Sequence, residues 1–285
     1  MVSRFRRMLH SVAESPIGVW LTRPLRFWFA VSYYCDLWGQ IPIWLFKSRE
    51  RTNFTYDYTE LGNAVAIEIV SLVTRVEPAR IAGFANELTA DIELRRWLSS
   101  RIELSPYRYS ADTEIRFSRG LLFYLFVRAL KPRVIVEAGT DKGLSACLIA
   151  AALQRNKAEG VIGQVYALDV REDRGFLLGD RFADVAILRF GDSVDFLNAL
   201  EGTIDFFIHD TTAEQQHEKL QYKALESKLS PKAITISTWF TGEFVRFSQR
   251  NGRRFLLFPE IPQNHWYPGG RFPVSFAPDR PEPRR

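Results

Sequence analysis

Val134-Ile135-Val136-Glu137-Ala138-Gly139-Thr140-Asp141-Lys142-Gly143 runs from an apolar stretch through an acid into a turn flanked by two glycines. The apolar stretch reads as a buried strand, and residues 143–154 continue with helical spacing. Glycine permits the tight turn and lets a ligand approach the backbone. The helix N-terminus that follows favours an anionic group such as a carboxylate. Taken alone, Gly139-x-x-x-Gly143 is an ordinary strand-end turn as readily as a ligand loop.

Outward from this turn the same rhythm repeats. Strands are expected at 133–137, 164–169, 185–190, 204–209 and 233–237, with helical patterns near 143–154, 192–200 and 213–228. Strands separated by helices require right-handed crossovers. The fold class is therefore α/β: a Rossmann-like, mostly parallel sheet with helices on both faces. Residues 254–259 and 272–277 can pair as closing strands. Upstream, 61–103 carries helical spacing at Ile67, Val70, Ile81, Phe84 and Leu88, and Pro106 marks a loop. A helix is expected over 114–130, ending before Lys131-Pro132 because the residue before proline avoids helical geometry. This divides the chain into a basic aromatic segment (1–51), a helical N-terminal extension (52–113) and the α/β domain (114–285). The tail, 278–285, has the composition of a disordered segment.

Three more strand ends carry polar groups. Asp169 ends the second strand, where a carboxylate can accept hydrogen bonds from ribose hydroxyls. Gly191-Asp192-Ser193 follows the third strand and suits an adenine edge. His209-Asp210 ends the fourth. Ligands of open α/β sheets bind in the crevice above the carboxyl ends of the strands. Each acid could be a plain helix cap, but four such ends in order favour a nucleotide-type cofactor.

The 285 residues, 46% hydrophobic and 25% charged, can bury a real core. A net charge of +5 is mild, and no zinc-finger, cold-shock or RNA-recognition signature accompanies it, so no nucleic-acid partner is expected. Cys35 and Cys147 form neither a disulfide framework nor a zinc motif, which points to a reducing cytoplasm. The sequon at Asn53 is then without consequence. Residues 1–51 hold Trp20, Trp28, Trp38 and Trp44 among eight Arg and Lys against Glu14, Asp36 and Glu50. Interrupted by Arg23, Pro24, Arg26, Asp36 and Pro42, the segment is a poor spanning helix. Amphipathic tryptophans and arginines suit a peripheral membrane contact. The alternatives are packing on the rest of the chain or a homodimer contact.

VIVEAGTDKGLSA (134–146), YALD (166–169), RFGDS (189–193) and IDFFIHD (204–210) resemble the ordered motifs of class I S-adenosylmethionine-dependent methyltransferases. The resemblance is strongest to a bacterial branch of small-molecule O-methyltransferase-like proteins. It extends through TNFTYD (52–57) and HWYPG (265–269) to about residue 277. It implies an enzyme with S-adenosylmethionine as cofactor and a small hydroxylated metabolite or glycoside as acceptor. Glu137, Gly139, Thr140 and Gly143 would surround the methionine portion, Asp169 the ribose, and Asp192 and Ser193 the adenine. An NAD-dependent dehydrogenase, the enzymatic competitor, would carry Gly-x-Gly-x-x-Gly, which is absent.

A hydroxyl nucleophile needs a base or a metal. Asp210 is the first candidate base, and His217 on the following helix is the second if it points back toward the site; the alternative for it is a solvated helix histidine. His265 is a candidate for the substrate entrance. Enzymes similar to catechol O-methyltransferase hold magnesium with an acid after strand four and an acidic pair after strand five. Asp210 matches the first position, but Thr238-Trp239 stands at the second, and neutral groups do not replace hard carboxylate ligands. No metal is expected. The same departure keeps open a catalytically degenerate cofactor-binding or membrane-associated interaction protein.

Overall fold

The computed structural model describes residues 23–32, 35–51, 55–211 and 214–278. Outside the described residues lie Arg4, Arg6, Arg7 and Trp20, the Asn53 sequon, Thr212-Ala213 and all but the first residue of the tail. Two compact units are present: the described residues up to Ser48 with Asn264–Tyr267, and Arg49–Gln263 resuming at Pro268.

The first unit contains helices α1 (Arg23–Ser32) and α2 (Cys35–Lys47), the latter with Pro42 inside it. Trp44 meets Trp266 edge-on at 5.4 Å. His265 Nδ1 accepts from the Tyr267 N–H at 3.0 Å. Among the described residues, no helix is long and apolar enough to cross a membrane.

In the second unit the expected helical stretch 61–103 forms three helices: α3 (Glu60–Thr74), α4 (Pro78–Thr89) and α5 (Ile92–Leu104). Local chemistry makes the breaks. Thr59 caps α3 through the Gly62 N–H, Arg75 ends it in the left-handed region at φ 62°, and Pro78 starts α4. Asp91 caps α5 by accepting from Leu94 N at 2.8 Å. Helix α6 (Arg119–Leu130) starts five residues later than the sequence expectation. Ser118, at φ 46°, is held out of the helix by residue 56: Tyr56 N donates to its Oγ at 2.8 Å and Ser118 N donates to Tyr56 O at 2.8 Å. Its other end follows expectation, with Lys131 as a left-handed cap before Pro132.

Helix α6 is buried on every side from Gly120 to Arg128. Arg128, 2% exposed, is matched there by Glu87 of α4 at 2.8 Å and Glu159 at 2.6 Å. These bonds tie α4 and α6 to the end of the Leu144–Ala158 helix, Glu159 being the residue that caps it, all within the second unit.

The sheet has seven strands in the order β3-β2-β1-β4-β5-β7-β6. They are β1 (Val134–Ala138), β2 (Gln164–Asp169), β3 (Ala186–Phe190), β4 (Ile204–His209), β5 (Leu229–Ser237), β6 (Arg254–Pro259) and β7 (Arg271–Phe276). The first five pair in parallel; β7 runs antiparallel to β5 and β6. Helices α7 (Leu144–Ala158), α8 (Ser193–Ala199), α9 (Gln215–Glu226) and α10 (Gly242–Arg250) connect them. Strands β1 and β4 are covered on both faces, which explains their nearly unbroken apolar runs.

The crevice between β1 and β4 is closed by backbone contact. Asp210 N donates to Ala138 O at 2.7 Å, and Gly139 N donates to Leu168 O at 2.9 Å. Gly139 has φ +94°, and a Cβ there would lie 2.1 Å from the Asp210 carbonyl oxygen. Gly160 has a similar φ of +86° but open space around it. Gly160→Ala should therefore cost about 1 kcal/mol, the backbone effect alone. Gly139→Ala should cost about 3 kcal/mol or more, because the two strand ends must also separate. Urea unfolding of the two variants checks the difference; equal losses would mean that the close approach is unimportant.

Candidate active site

At the end of β1, Glu137 is fully buried. Its Oε2 accepts from Thr140 Oγ1 at 3.3 Å, while Oε1 has no hydrogen-bond partner. Burial pushes this carboxyl up to about 8, with the Ser145 and Thr140 hydroxyls pulling the other way and Asp210 reinforcing the rise. The turn above it is clamped from behind: Gly175 N donates to Asp141 O at 2.6 Å and Leu177 N to Lys142 O at 3.1 Å. Gly143, at φ +95°, lies so close to this clamp that a Cβ would be 3.2 Å from Gly175 Cα.

At the end of β2, Asp169 is 7% exposed. Its Oδ2 accepts from Asp141 N at 2.9 Å and its Oδ1 from Arg171 N at 3.0 Å, so it orders the glycine turn directly. After β3, Asp192 caps α8 by accepting from Val194 N at 2.6 Å. Ser193 is buried, and its Oγ accepts from Gln221 Nε2 at 2.6 Å. His217, the second candidate base, meets Asp192. Its Nε2 lies 3.1 Å from Asp192 Oδ2, because α9 begins at Gln215 and its first turn faces the start of α8. His209 is buried against Gln221.

Asp210, after β4, sits in a cluster that sequence reasoning only half found. Arg119 Nη1 donates to both carboxylate oxygens, at 2.9 and 3.1 Å, and Thr238 Oγ1 donates to Oδ1 at 2.7 Å. The Arg119 guanidinium also stands 5.5 Å from the Phe272 ring centre. Burial raises the Asp210 carboxyl above its ordinary range, against the pull of Arg119 and Thr238. Burial opposes the Arg119 charge in turn, and Asp210 together with Glu260, Tyr56 and Tyr58 outweighs it.

Arg119, Thr140, Gly143, Ser145 and Asp210 line one cleft with Phe117 and Thr55. Of the sequence-predicted residues, Thr140, Gly143 and Asp210 form its walls. Gly139 supports it through the Asp210 backbone, and Glu137 lies behind Thr140. Asp169, Asp192, Ser193 and His217 lie outside those walls, along the ends of β2 and β3 and on α9.

A divalent cation does not fit here. Both Asp210 oxygens already face a guanidinium, and Thr238 and Trp239 add no carboxylate. Among the described residues, no group of three or more His, Cys, Asp or Glu could hold a metal.

Residues 136–237 match the family model for a methyltransferase domain. No curated protein matches the chain. Among solved structures, the chain is similar to a methyltransferase from Geobacter sulfurreducens at 16% identity, with 71% of this chain and 98% of that one covered and a TM-score of 0.47. It is also similar to an S-adenosylhomocysteine-bound methyltransferase of Podospora anserina, at 15% identity, 70% and 95% coverage and a TM-score of 0.48. An O-methyltransferase from Bacillus cereus, also in complex with S-adenosylhomocysteine, gives 16%, 70% and 97%, and 0.45. Likenesses at this level carry no argument about function; the family match does, and it runs from within β1 to the last residue of β5. Residues 136–237 are the part of the chain that matches a methyltransferase domain.

Proposed function

We propose that the chain transfers a methyl group from S-adenosylmethionine to the hydroxyl of a small metabolite or glycoside, at the cleft between the glycine turn and Asp210. The observation that carries this reading is the convergence of Asp210, Thr140, Gly143 and Arg119 on one cleft within the family-matched strands.

The residues suit the cofactor. Glu137 Oε1 is an orphaned buried acceptor beside the turn, suited to the ammonium of an amino-acid moiety. Gly139, Thr140 and Gly143 shape the turn around that portion. Asp169 faces the ribose, sharing its carboxylate with the Asp141 N–H. Asp192, oriented by His217, and the adjoining Ser193 border the adenine. When bound, the cofactor supplies a methyl group on a sulfonium centre. Asp210 accepts the acceptor's hydroxyl proton, and the cleft aligns the oxygen, a positional contribution that can dominate catalysis. A degenerate binding protein, the alternative, would keep the first set of contacts and lose the proton transfer.

The exposed side of the first unit supports a further reading. Phe27, Trp28, Trp38, Leu45 and Phe46 are all exposed, Phe46 by 91%, on helices that also carry Arg23, Arg26 and Lys47. Rings and cations together suit the headgroup region of an anionic membrane, so residues 1–51 form a peripheral attachment.

Three outcomes are expected. Calorimetry should show S-adenosylhomocysteine binding, weakened about tenfold or more by Asp169→Ala, which removes a ribose acceptor and loosens the turn; binding of NAD in its place would overturn the cofactor reading. Methyl transfer to hydroxylated acceptors should survive EDTA and fall about 100-fold or more in Asp210→Asn, with cofactor affinity unchanged. An unchanged rate would remove Asp210 as base, and loss restored by magnesium would restore a metal. Full-length protein should sediment with anionic liposomes at low salt, and Trp28→Ala/Phe46→Ala should not. Failure of the full-length protein to sediment, with a concentration-dependent dimer instead, would assign the same face to a second copy.

A further inference from the structure

The acid after β4 is paired in an unusual way for a group meant to receive a proton. Arg119 comes from the first position of α6, 91 residues away in sequence. Thr238, the residue after β5, donates to the same carboxylate, and Arg119 stands at the head of a helix buried from Gly120 to Arg128. Only Nη1 of the guanidinium is used. Nε and Nη2 make no hydrogen bond with the described residues, yet Arg119 lines the cleft. A rigid, planar cation with spare donors next to a carboxylate is suited to holding a second oxygen.

We propose that Arg119 is the fixed cation of the acceptor site, standing where a divalent metal would otherwise bind Asp210 and serving in its place. It keeps Asp210 ionised and aimed into the cleft, and it offers Nε and Nη2 to the oxygen of the incoming acceptor. As the acceptor hydroxyl gives its proton to Asp210, the oxygen gains negative charge beside a guanidinium that stays protonated throughout. Positive charge is thus supplied by the chain, with no ion to load or lose. Arg119 thus both orients Asp210 and meets the acceptor oxygen, and the proposal rests on the reading of Asp210 as the base.

The test uses the full chain with bound S-adenosylhomocysteine, whose affinity is measured first. Loss of that affinity would sink the cofactor reading; its retention confines any failure below to Arg119. Electron paramagnetic resonance should show no Mn²⁺ held by wild-type protein at low-millimolar metal. In Arg119→Ala, guanidinium ion at tens of millimolar should raise the thermal midpoint saturably, by about 2 °C or more over equal sodium chloride. It should do nothing for wild type or for Arg119→Ala/Asp210→Asn. Mn²⁺ bound by wild type and lost in Asp210→Asn would overturn the proposal. So would a folded Arg119→Ala that guanidinium fails to stabilise. If Arg119→Ala does not fold, Arg119→Met replaces it in the same comparison, and the Mn²⁺ measurement on wild type decides independently.

Discussion

The contact between Gly139 and the Asp210 carbonyl governs this site. It is a steric constraint: only a residue without Cβ, held at positive φ, lets the ends of β1 and β4 approach this closely. The Asp210 N–H to Ala138 O bond completes the closure from the other side. Once these ends touch, the glycine turn, the Thr140 hydroxyl and the Asp210 carboxylate share one cleft. The sequence suggests that the glycines make room for a ligand. In the structure Gly139 and Gly143 make room first for other parts of the backbone, and the ligand-sized space arises beside them.

Around that contact, electrostatics is arranged in layers. Glu137 is buried and raised by that burial, while Asp169 is tied to the turn by an N–H of the turn itself. Asp210 is compensated by a guanidinium that the chain brings from far upstream. Such a pair is costly to desolvate, and removing one partner leaves an uncompensated charge. The burial of α6 is what holds Arg119 in position, and the Arg128 cluster with Glu87 and Glu159 holds α6 in turn. Helices α4 and α6 are thus part of the candidate-site scaffold.

Much of the α/β half was legible in sequence. Residues 164–169, 204–209 and 254–259 form strands with those boundaries, and the 204–209 run is apolar because that strand is covered on both faces. The closing pair was also legible, since β6 and β7 are bounded by polar, Pro-containing and Gly-containing segments. The delayed start of α6 was not. It depends on bonds between Ser118 and Tyr56, 62 residues apart, and no local propensity encodes them. Arg119 escaped for the same reason. In sequence it is an ordinary cation inside an expected helix, and its partner lies beyond four strands. The available signal was its position beside Gly120 at the head of a helix otherwise apolar up to Arg128, where a cation needs a buried acid. The partner of His217 was not legible either, because helix phase at a first turn depends on where the helix begins.

The most direct measurement is a crystal structure of the full chain soaked with S-adenosylhomocysteine. The account predicts ligand density along the ends of β1 to β3. The amino-acid portion should reach Glu137 and the glycine turn, the ribose should bond Asp169, and the Arg119–Asp210 pair should remain closed beside the sulfur. Density in any other part of the molecule, or a complex in which Asp210 leaves Arg119 to bind a metal ion, would contradict it.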